Sequence, residues 1–394
     1  MGLSCCKQGA RGLKLQRLDL ETFRNHQQTS VDCSPGVNLF LGDNGEGKTN
    51  ILEGISYLCL SKSFYAANDA VVTNITRDGF VVTGGFFSDA HIFYEARVAF
   101  DKQQNQKIIT VNKAKIEKAS LLLGQFPVVI LSPEHSSITV GSPSDRRRFV
   151  DLVVSQSNRK YLDCLMDYRR ILKQRNKVLS DMQFSHRAHD DALEPWNENL
   201  IRVGAALVKK RIEFIGDFQP LMLDSYATLT GNDETPELTY APSFECTTDG
   251  QEEIETVFRQ TMNSRSQEER RIGYSLVGPH RDEFIFKINN RDARNFASQG
   301  QHKTFLIALK LAEFYYLKQR CHETPMLLLD DVLSEMDGRR SQRLLETIAE
   351  LGQVFMTSTD ERALNWNPVA SSQPRKFFVR QGGIDRVEDA AHIH

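Results

Sequence analysis

The chain has 394 residues, 49 Lys and Arg against 51 Asp and Glu, and a formal net charge of −2. That length exceeds what one core usually serves and predicts roughly two to three domains, while the near-balance of charge excludes a globally basic nucleic-acid binder and confines any such binding to a local basic patch. No apolar run reaches the roughly 18 residues of a membrane span, and 7 scattered cysteines without CxxC pairs point to reduced thiols in a cytoplasmic protein, against a zinc ribbon or a disulfide frame.

Met1-Gly2-Leu3-Ser4-Cys5-Cys6 superficially suggests lipidation, but the myristoylation pattern wants Ser or Thr where Cys6 stands, and no apolar signal-peptide core follows. Residues 1–12 are expected to be a disordered extension or the product of a start codon chosen too early. Leu15 to Phe23 then reads as a strand, and Val37-Asn38-Leu39-Phe40-Leu41 as a buried one. It runs into Gly42-Asp43-Asn44-Gly45-Glu46-Gly47-Lys48-Thr49, a match to GxxxxGK[ST]. Glycines let such a loop curl with its amides inward, Lys48 would reach the β- and γ-phosphates of a nucleotide, and the Thr49 hydroxyl would sit on Mg²⁺. Asn50 to Leu60 reads as a helix whose N-terminus faces the anion.

Phe80 to Phe87, His91 to Phe100 and Lys107 to Val111 read as an antiparallel side sheet, and Val128 to Leu131 as a return to a buried strand. From Arg146 the period changes. Leu162, Leu165, Tyr168, Leu172 and Leu179 form one helical stripe, and Trp196, Leu200, Val203 and Leu207 a second, which predicts an antiparallel arm bending between Phe184 and Glu194. His186-Arg187-Ala188-His189 in that bend reads as a solvated loop, not a metal site. Thr247 to Glu253 and Asn263 to Arg271 read as loop or helix surface around a short apolar piece, before the chain re-enters a core near Tyr274. Ser298-Gln299-Gly300-Gln301 opens the helical pattern Thr304 to Lys318, either as an ordinary helix cap or as a second anion site.

Pro325-Met326-Leu327-Leu328-Leu329-Asp330-Asp331 has the form of a buried parallel strand that delivers paired carboxylates to its carboxyl end. Asp330 would hold Mg²⁺, and Asp331 would orient or deprotonate an attacking water. Gln353 to Met356 is a further strand, followed by Thr357-Ser358-Thr359-Asp360. Basic residues gather at Arg146-Arg147-Arg148, along Arg169, Arg170, Lys173, Arg175 and Lys177, and at Lys62. Such runs are solvated helix faces or a sequence-independent phosphate-tracking groove; on the second reading Lys62, Arg147 and Arg175 are the DNA-contacting choices.

About 288 residues separate Gly42 from Asp330, so something is inserted into the nucleotide core. With SQGQ upstream of LLLDD, the arrangement resembles the head of an ABC-type ATPase. Leu15-Gln16-Arg17-Leu18, Phe23-Arg24-Asn25, Lys62-Ser63-Phe64, Leu131-Ser132-Pro133-Glu134, Gln174-Arg175-Asn176, Gly278-Pro279-His280-Arg281-Asp282 and Thr357 to Asp360 narrow this to a resemblance to the RecF family of bacterial recombination mediators, from about Leu13 to Asp360. Tyr65, His302-Lys303 and Met336 depart from the family pattern.

The resemblance implies an α/β fold: an ABC/SMC-type P-loop ATPase head with an attached antiparallel sheet and an inserted α-helical, short coiled-coil-like lobe. Its expected divisions are an N-terminal ATPase part at 13–143, the lobe at 144–270 and a C-terminal ATPase part at 271–394. It implies that ATP with Mg²⁺ bridges two copies of the chain, with Ser298, Gln299, Gly300 and Gln301 of one capping the γ-phosphate held by residues 42–50 of the other. Thr359 stands where ABC ATPases place a γ-phosphate-sensing histidine. His280 and Arg281 would approach the nucleotide or the partner copy, or pair internally with Asp282 or Glu283. By resemblance the dimer acts at gapped DNA and strand junctions with RecO and RecR to load recombinase, with slow ATP hydrolysis as its switch. An ABC transporter subunit is disfavoured, since LSGGQ and a histidine after the last strand are missing; a DNA-binding scaffold with negligible hydrolysis stays open, because an aspartate stands where ABC proteins carry glutamate.

Overall fold

The computed structural model describes residues 12–389 apart from 67, 75–76, 186–189, 232–233, 247–248, 334–335, 337, 362–365 and 367–372. The expected N-terminal extension (save Gly12), the His186–His189 loop and most of the loop around Met336 lie outside the described residues. In chain order come β1 (Lys14–Phe23), β2 (His26–Asp32), β3 (Val37–Leu41), α1 (Lys48–Leu60), α2 (Asp69–Val72), β4 (Gly79–Phe87), β5 (Phe93–Asp101), β6 (Gln106–Val111), β7 (Ala114–Lys115) and β8 (Val128–Leu131). The helices α3 (Ser137–Val140), α4 (Pro143–Ser157), α5 (Arg159–Ser185) and α6 (Asp190–Thr230) follow, then β9 (Pro236–Ala241), α7 (Gln251–Ile272), β10 (Glu283–Ile288), β11 (Arg291–Asp292) and α8 (Ala293–Phe296). The chain closes with α9 (Gln299–Arg320), β12 (Met326–Leu329), α10 (Gly338–Ile348), β13 (Val354–Ser358), β14 (Arg375–Arg380) and β15 (Gly383–Glu388). This is the α/β architecture with an attached antiparallel sheet and a helix-rich insert that the motifs imply.

Two compact units divide the chain: residues 1–135, 228–230 and 307–394, and residues 136–227 and 231–306. The second extends past the expected 144–270, because β10 pairs with β9 and β11 in a sheet of its own.

In the first unit a sheet ordered β15-β14-β3-β13-β12-β8 is parallel from β14 to β8, with β15 an antiparallel edge. β3, β12 and β13 are buried along their whole length, which is why β12 reads as an unbroken apolar run and β3 as one interrupted only by Asn38. A second, antiparallel sheet is ordered β2-β1-β4-β5-β6-β7; β4 alternates half-buried and buried residues, the period of a sheet covered on one face. Residues of both sheets and of α1 share one core, including Leu20, Phe40, Ile55, Val82 and Leu328. Glycine sets how closely α1 meets the antiparallel sheet. A Cβ on Gly54 would lie 2.6 Å from Leu20 Cδ2, and one on Gly84 2.4 Å from Leu58 Cδ1.

The second unit is organised by helices. Along α5 and α6, Arg175 meets Asn197, Tyr168 lies against Gly204 and Tyr161 against Arg211, so the two run antiparallel as the paired stripes predict. Their base is cemented by Arg211, which is only 2% exposed. It donates to Asp151 Oδ1 at 2.9 Å, Asp282 Oδ2 at 3.1 Å and the Pro279 carbonyl at 2.8 Å, so a charge taken out of water keeps full hydrogen bonding. Residues 251–272, most of the stretch that reads as loop or helix surface around a short apolar piece, form one continuous helix, α7. Ile254, Phe258 and Met262 give it a buried stripe at the helical period.

Candidate nucleotide site

At the carboxyl end of β3 the chain turns through Gly42 to Gly47 and enters α1. Gly47 is the N-cap, at φ 109°, and no side chain caps the helix. The Asn50 and Ile51 N–H groups go to the Gly47 carbonyl at 3.1 and 3.3 Å, and no side chain takes those of Lys48 and Thr49, the two an anion would meet first. Two glycines are dictated by close approach: a Cβ on Gly42 would lie 2.4 Å from the Val379 carbonyl oxygen, and one on Gly47 2.6 Å from Asn25 Oδ1. Asp43, Asn44 and Gly45 form the exposed crest of the loop, and Glu46 is half-buried. Lys48 is 7% exposed and donates to the Gly42 and Asp43 carbonyls, both at 2.8 Å. Its burial lowers the ammonium from its ordinary value, opposed by Asp331, Asp330, Asp43 and Glu46.

The carboxylates arrive from β12. Asp330 is 5% exposed and accepts at Oδ1 from Thr49 Oγ1 and from Thr357 Oγ1, each at 2.8 Å. Burial raises its carboxyl above the usual range, against those two hydrogen bonds. Because Thr49 spends its one hydroxyl proton on Asp330, its lone pairs remain to accept or ligate. A hydroxyl with free lone pairs beside one carboxylate suits Mg²⁺, which takes few protein ligands and completes its shell with water and phosphate oxygens. Among the described residues there is no cluster of three or more His, Cys, Asp or Glu that could hold a metal ion. Asp331 follows at φ 49°, its N–H donating to Thr357 Oγ1 at 2.9 Å.

The loop is braced from two sides, one by Asn25 of the Phe23-Arg24-Asn25 motif with its neighbour His26, the other by residues that no motif flagged. From the turn after β1, Asn25 Nδ2 donates to the Glu46 carbonyl at 3.0 Å, and Asn25 Oδ1 accepts from Asn50 Nδ2 at 2.7 Å. His26, wholly buried, has Nε2 3.0 Å from the Gly47 carbonyl, which can only accept, and Nδ1 3.0 Å from Thr29 Oγ1. From the β14–β15 turn, Gln381 N–H donates to the Glu46 carboxylate and Gly382 N–H to the Glu46 carbonyl at 3.0 Å. Thr29 Oγ1 also donates to the Gly382 carbonyl at 2.7 Å, which ties the two braces together. Behind α1, Arg24 grips the buried Glu53 with two bonds of 2.8 and 2.7 Å, and Ser63 donates to the same carboxylate. FRN and KSF thus meet around one helix. Beside the loop lies a cavity of about 530 Å³ lined by Gly42, Asp43, Glu46, Thr359, Phe378 and Arg380, among others, so Thr359 shares a cleft with the phosphate loop.

The signature residues lie in the second unit. Ser298 Oγ accepts from Gln301 N–H at 3.2 Å while Gln301 Oε1 accepts from Ser298 N–H at 2.8 Å, a reciprocal capping box at the start of α9. Ser298, Gln299 and Gly300 are exposed, next to Phe296 at 70% exposure.

Other expectations are corrected. Arg175 cannot meet DNA: it is 2% exposed and donates to Glu269 Oε2 at 2.6 Å, Ser275 Oγ at 2.7 Å and Asn197 Oδ1 at 2.8 Å. Arg147 is half-buried, with Nη1 on the Asp282 carbonyl at 2.7 Å, and Lys62 is exposed. Gly278 to Asp282 belongs to the second unit, not to the nucleotide core. His280 Nδ1 accepts from Tyr168 Oη at 2.7 Å, its Nε2 donates to the Ser275 carbonyl at 3.1 Å, and burial pushes its pKa down to about 4. Asp282 serves Arg211, Tyr240 and the Ser243 N–H, so the string is a structural hub.

Comparison with known proteins agrees with this geometry. Residues 14–371 match the family model described as RecF/RecN/SMC N terminal domain. The DNA replication and repair protein RecF of Chloroherpeton thalassium is 39% identical over 89% of this chain and 96% of its own length, and that of Staphylococcus epidermidis 35% over 94% and 100%. A solved structure of the recombination mediator protein RecF with ATP in the RecFOR pathway superposes with a TM-score of 0.87 at 28% identity, covering 98% of this chain and 100% of that one. An Smc head bound to the C-winged helix domain of ScpA shares the fold alone, with a TM-score of 0.56 at 12% identity over 96% of this chain and 98% of that chain. A phosphate loop, tandem acids and an exposed serine cap, carried by a chain this similar along nearly its whole length, mean that the protein belongs to the RecF family of DNA replication and repair proteins, within the RecF/RecN/SMC group.

Proposed function

We propose that the chain is an ATP-hydrolysing, DNA-binding clamp of recombinational repair that works as an ATP-dependent homodimer. The observation that carries this is the 2.8 Å bond between Thr49 and Asp330, which joins residues 281 positions apart at a helix N-terminus left open for an anion. On this reading Lys48 leaves the Gly42 and Asp43 carbonyls for the β- and γ-phosphates, and the amides of residues 42–50 cradle the triphosphate. Thr49 and Asp330 would hold Mg²⁺, whose charge neutralises the phosphates. Asp331 accepts a proton from the attacking water; the water oxygen bonds the γ-phosphorus as the bond to the ADP oxygen breaks, giving ADP and phosphate.

The cap Ser298-Gln299-Gly300-Gln301, exposed at its first three residues, would complete the γ-phosphate site of a second copy, and Thr359 would sense that phosphate from within its own chain. Closure of the pair would bind double-stranded or gapped DNA through its phosphates, with little sequence preference. Lys62 and Arg147 are the contacts retained from the sequence reading, and RecO and RecR the partners the family implies. Hydrolysis is slow and serves as the switch. A DNA-binding scaffold without turnover is the alternative, favoured only by aspartate at position 331.

Light scattering with ATP, ADP and no nucleotide tests the dimer: ATP should double the mass and ADP should not, and a monomer under all three conditions sinks the clamp. Phosphate release with and without gapped DNA separates clamp from scaffold. Lys48→Arg should fold normally and lose at least about tenfold in turnover, since a longer, planar cation cannot replace a point charge in that slot; a wild-type rate would remove Lys48 from the chemistry.

A further inference from the structure

We infer that Thr357 is a positioning residue of the hydrolytic site, a single hydroxyl that sets the direction of both tandem carboxylates. Thr357 lies near the end of β13, in register with Phe40 of β3, and is 2% exposed. Its Oγ1 donates to Asp330 Oδ1 at 2.8 Å and accepts from the Asp331 N–H at 2.9 Å. One hydroxyl proton and two lone pairs make both bonds at once without conflict.

Its effect on each acid is separate. Asp330 offers one carboxylate oxygen, Oδ1, to both Thr49 and Thr357, so two fixed donors hold that oxygen from β13 and from α1. Without Thr357, Thr49 alone orients it. Asp331 stands at φ 49°, a left-handed conformation that a non-glycine residue keeps only when its surroundings hold it there. The Asp330 N–H goes to the Leu131 carbonyl of β8 at 2.9 Å, and the Asp331 N–H to Thr357 of β13. Consecutive amides are thus spent on the two strands that flank β12, and the second bond is the one that fixes the left-handed turn. That turn sets the direction in which the Asp331 side chain leaves the backbone. Removal of the hydroxyl takes this half-buried N–H bond away and lets the turn relax.

The inference rests on hydrolysis by this site, and the test separates the two. Thr357→Val keeps the shape and removes the hydroxyl, Thr357→Ser keeps the hydroxyl, and Asp331→Asn is the reference for a lost base. The readouts are kcat and KM for ATP with gapped DNA, and ATP affinity by titration of a fluorescent analogue with Mg²⁺ and with EDTA. Wild type should turn over. Thr357→Val should lose at least about tenfold in kcat, keep its Mg²⁺-free affinity within about threefold, and lose most of the gain in affinity that Mg²⁺ confers, because Asp330 is no longer aligned. Thr357→Ser should restore both. A Thr357→Val enzyme with wild-type kcat and wild-type Mg²⁺ gain overturns the inference, as does a serine variant as impaired as valine. If wild type itself releases no phosphate, the hydrolytic reading falls, and the Mg²⁺ gain alone decides for or against Thr357. Thr357→Ala takes the place of valine should that variant fail to fold.

Discussion

Arg175 gives the sharpest separation between a basic residue that grips DNA and one that holds the fold. Its guanidinium and the Glu269 carboxylate are 3% and 0% exposed and 2.6 Å apart. The other Glu269 oxygen accepts only the Leu276 N–H, at 2.7 Å, among the described bonds. Arg175→Ala therefore strands a carboxylate in the interior, together with Ser275 and Asn197, which each lose a donor. Breaking a buried pair in this way costs about 3–5 kcal/mol, whereas replacing both partners with apolar groups of similar volume is often nearly neutral. Urea denaturation of Arg175→Ala should accordingly fall by about 3–5 kcal/mol, and Arg175→Met with Glu269→Leu should recover most of the loss. The double variant then carries the DNA test. Its affinity for a duplex should match wild type at every salt concentration, because no phosphate contact has been removed. A well-folded double variant whose slope of log K against log salt drops by about one contact, roughly 0.9, would return Arg175 to the DNA surface and refute the burial argument.

Gly382→Ala places a Cβ 2.2 Å from the Asn25 carbonyl oxygen at φ 73°, so a change near the C-terminus should disturb the phosphate loop through Glu46 and Asn25. We expect about 2 kcal/mol of destabilisation and a loss of roughly tenfold in ATP affinity; unaltered nucleotide binding would show that the brace does not reach the ligand. His280, held near pKa 4 against an ordinary 6.5, makes stability pH-dependent. The unfolded chain binds a proton at this residue between those values and the folded chain does not, so its contribution is intact above about pH 6.5 and lost as pH falls toward 4, roughly 3 kcal/mol in all. Denaturation curves of wild type and His280→Gln between pH 7 and 4 should converge as pH falls; parallel curves would mean the ring does not titrate in that window. Arg24→Ala should destabilise the first unit by about 3 kcal/mol or more, since Glu53 is 1% exposed and loses its bidentate partner; a cost under 1 kcal/mol would mean that Ser63 alone satisfies the carboxylate.

The nucleotide site was legible because its chemistry demands particular residues at short spacing. Gly42 to Thr49 and Met326 to Asp331 each carry their geometry within about eight residues, and their meeting through Thr49 and Asp330 follows from parallel strands that end at one edge. The brace from the β14–β15 turn had no such signature. Gln381 and Gly382 act through backbone N–H groups, which every sequence possesses, so no side-chain pattern announces them. Arg175 is a different kind of miss. It sits in a run of cations that reads as a solvated face, yet Tyr168, Ile171, Arg175 and Leu179 are spaced by three, four and four, and all four are buried. The helical period had already placed this arginine on the apolar stripe, and what was missing was its counter-charge, Glu269, 94 residues away on α7. A cation in register with a buried stripe should therefore be read as half of an ion pair before it is read as a phosphate contact. The strand argument for Thr357 has the same form. Thr357 and Thr359 share the alternation of β13, but only the first lies within the strand, where a buried hydroxyl must find partners; the second lies past the end, exposed and free to meet a ligand. Period decides which face a polar residue occupies, and burial on that face decides whether it must find its partners within the protein.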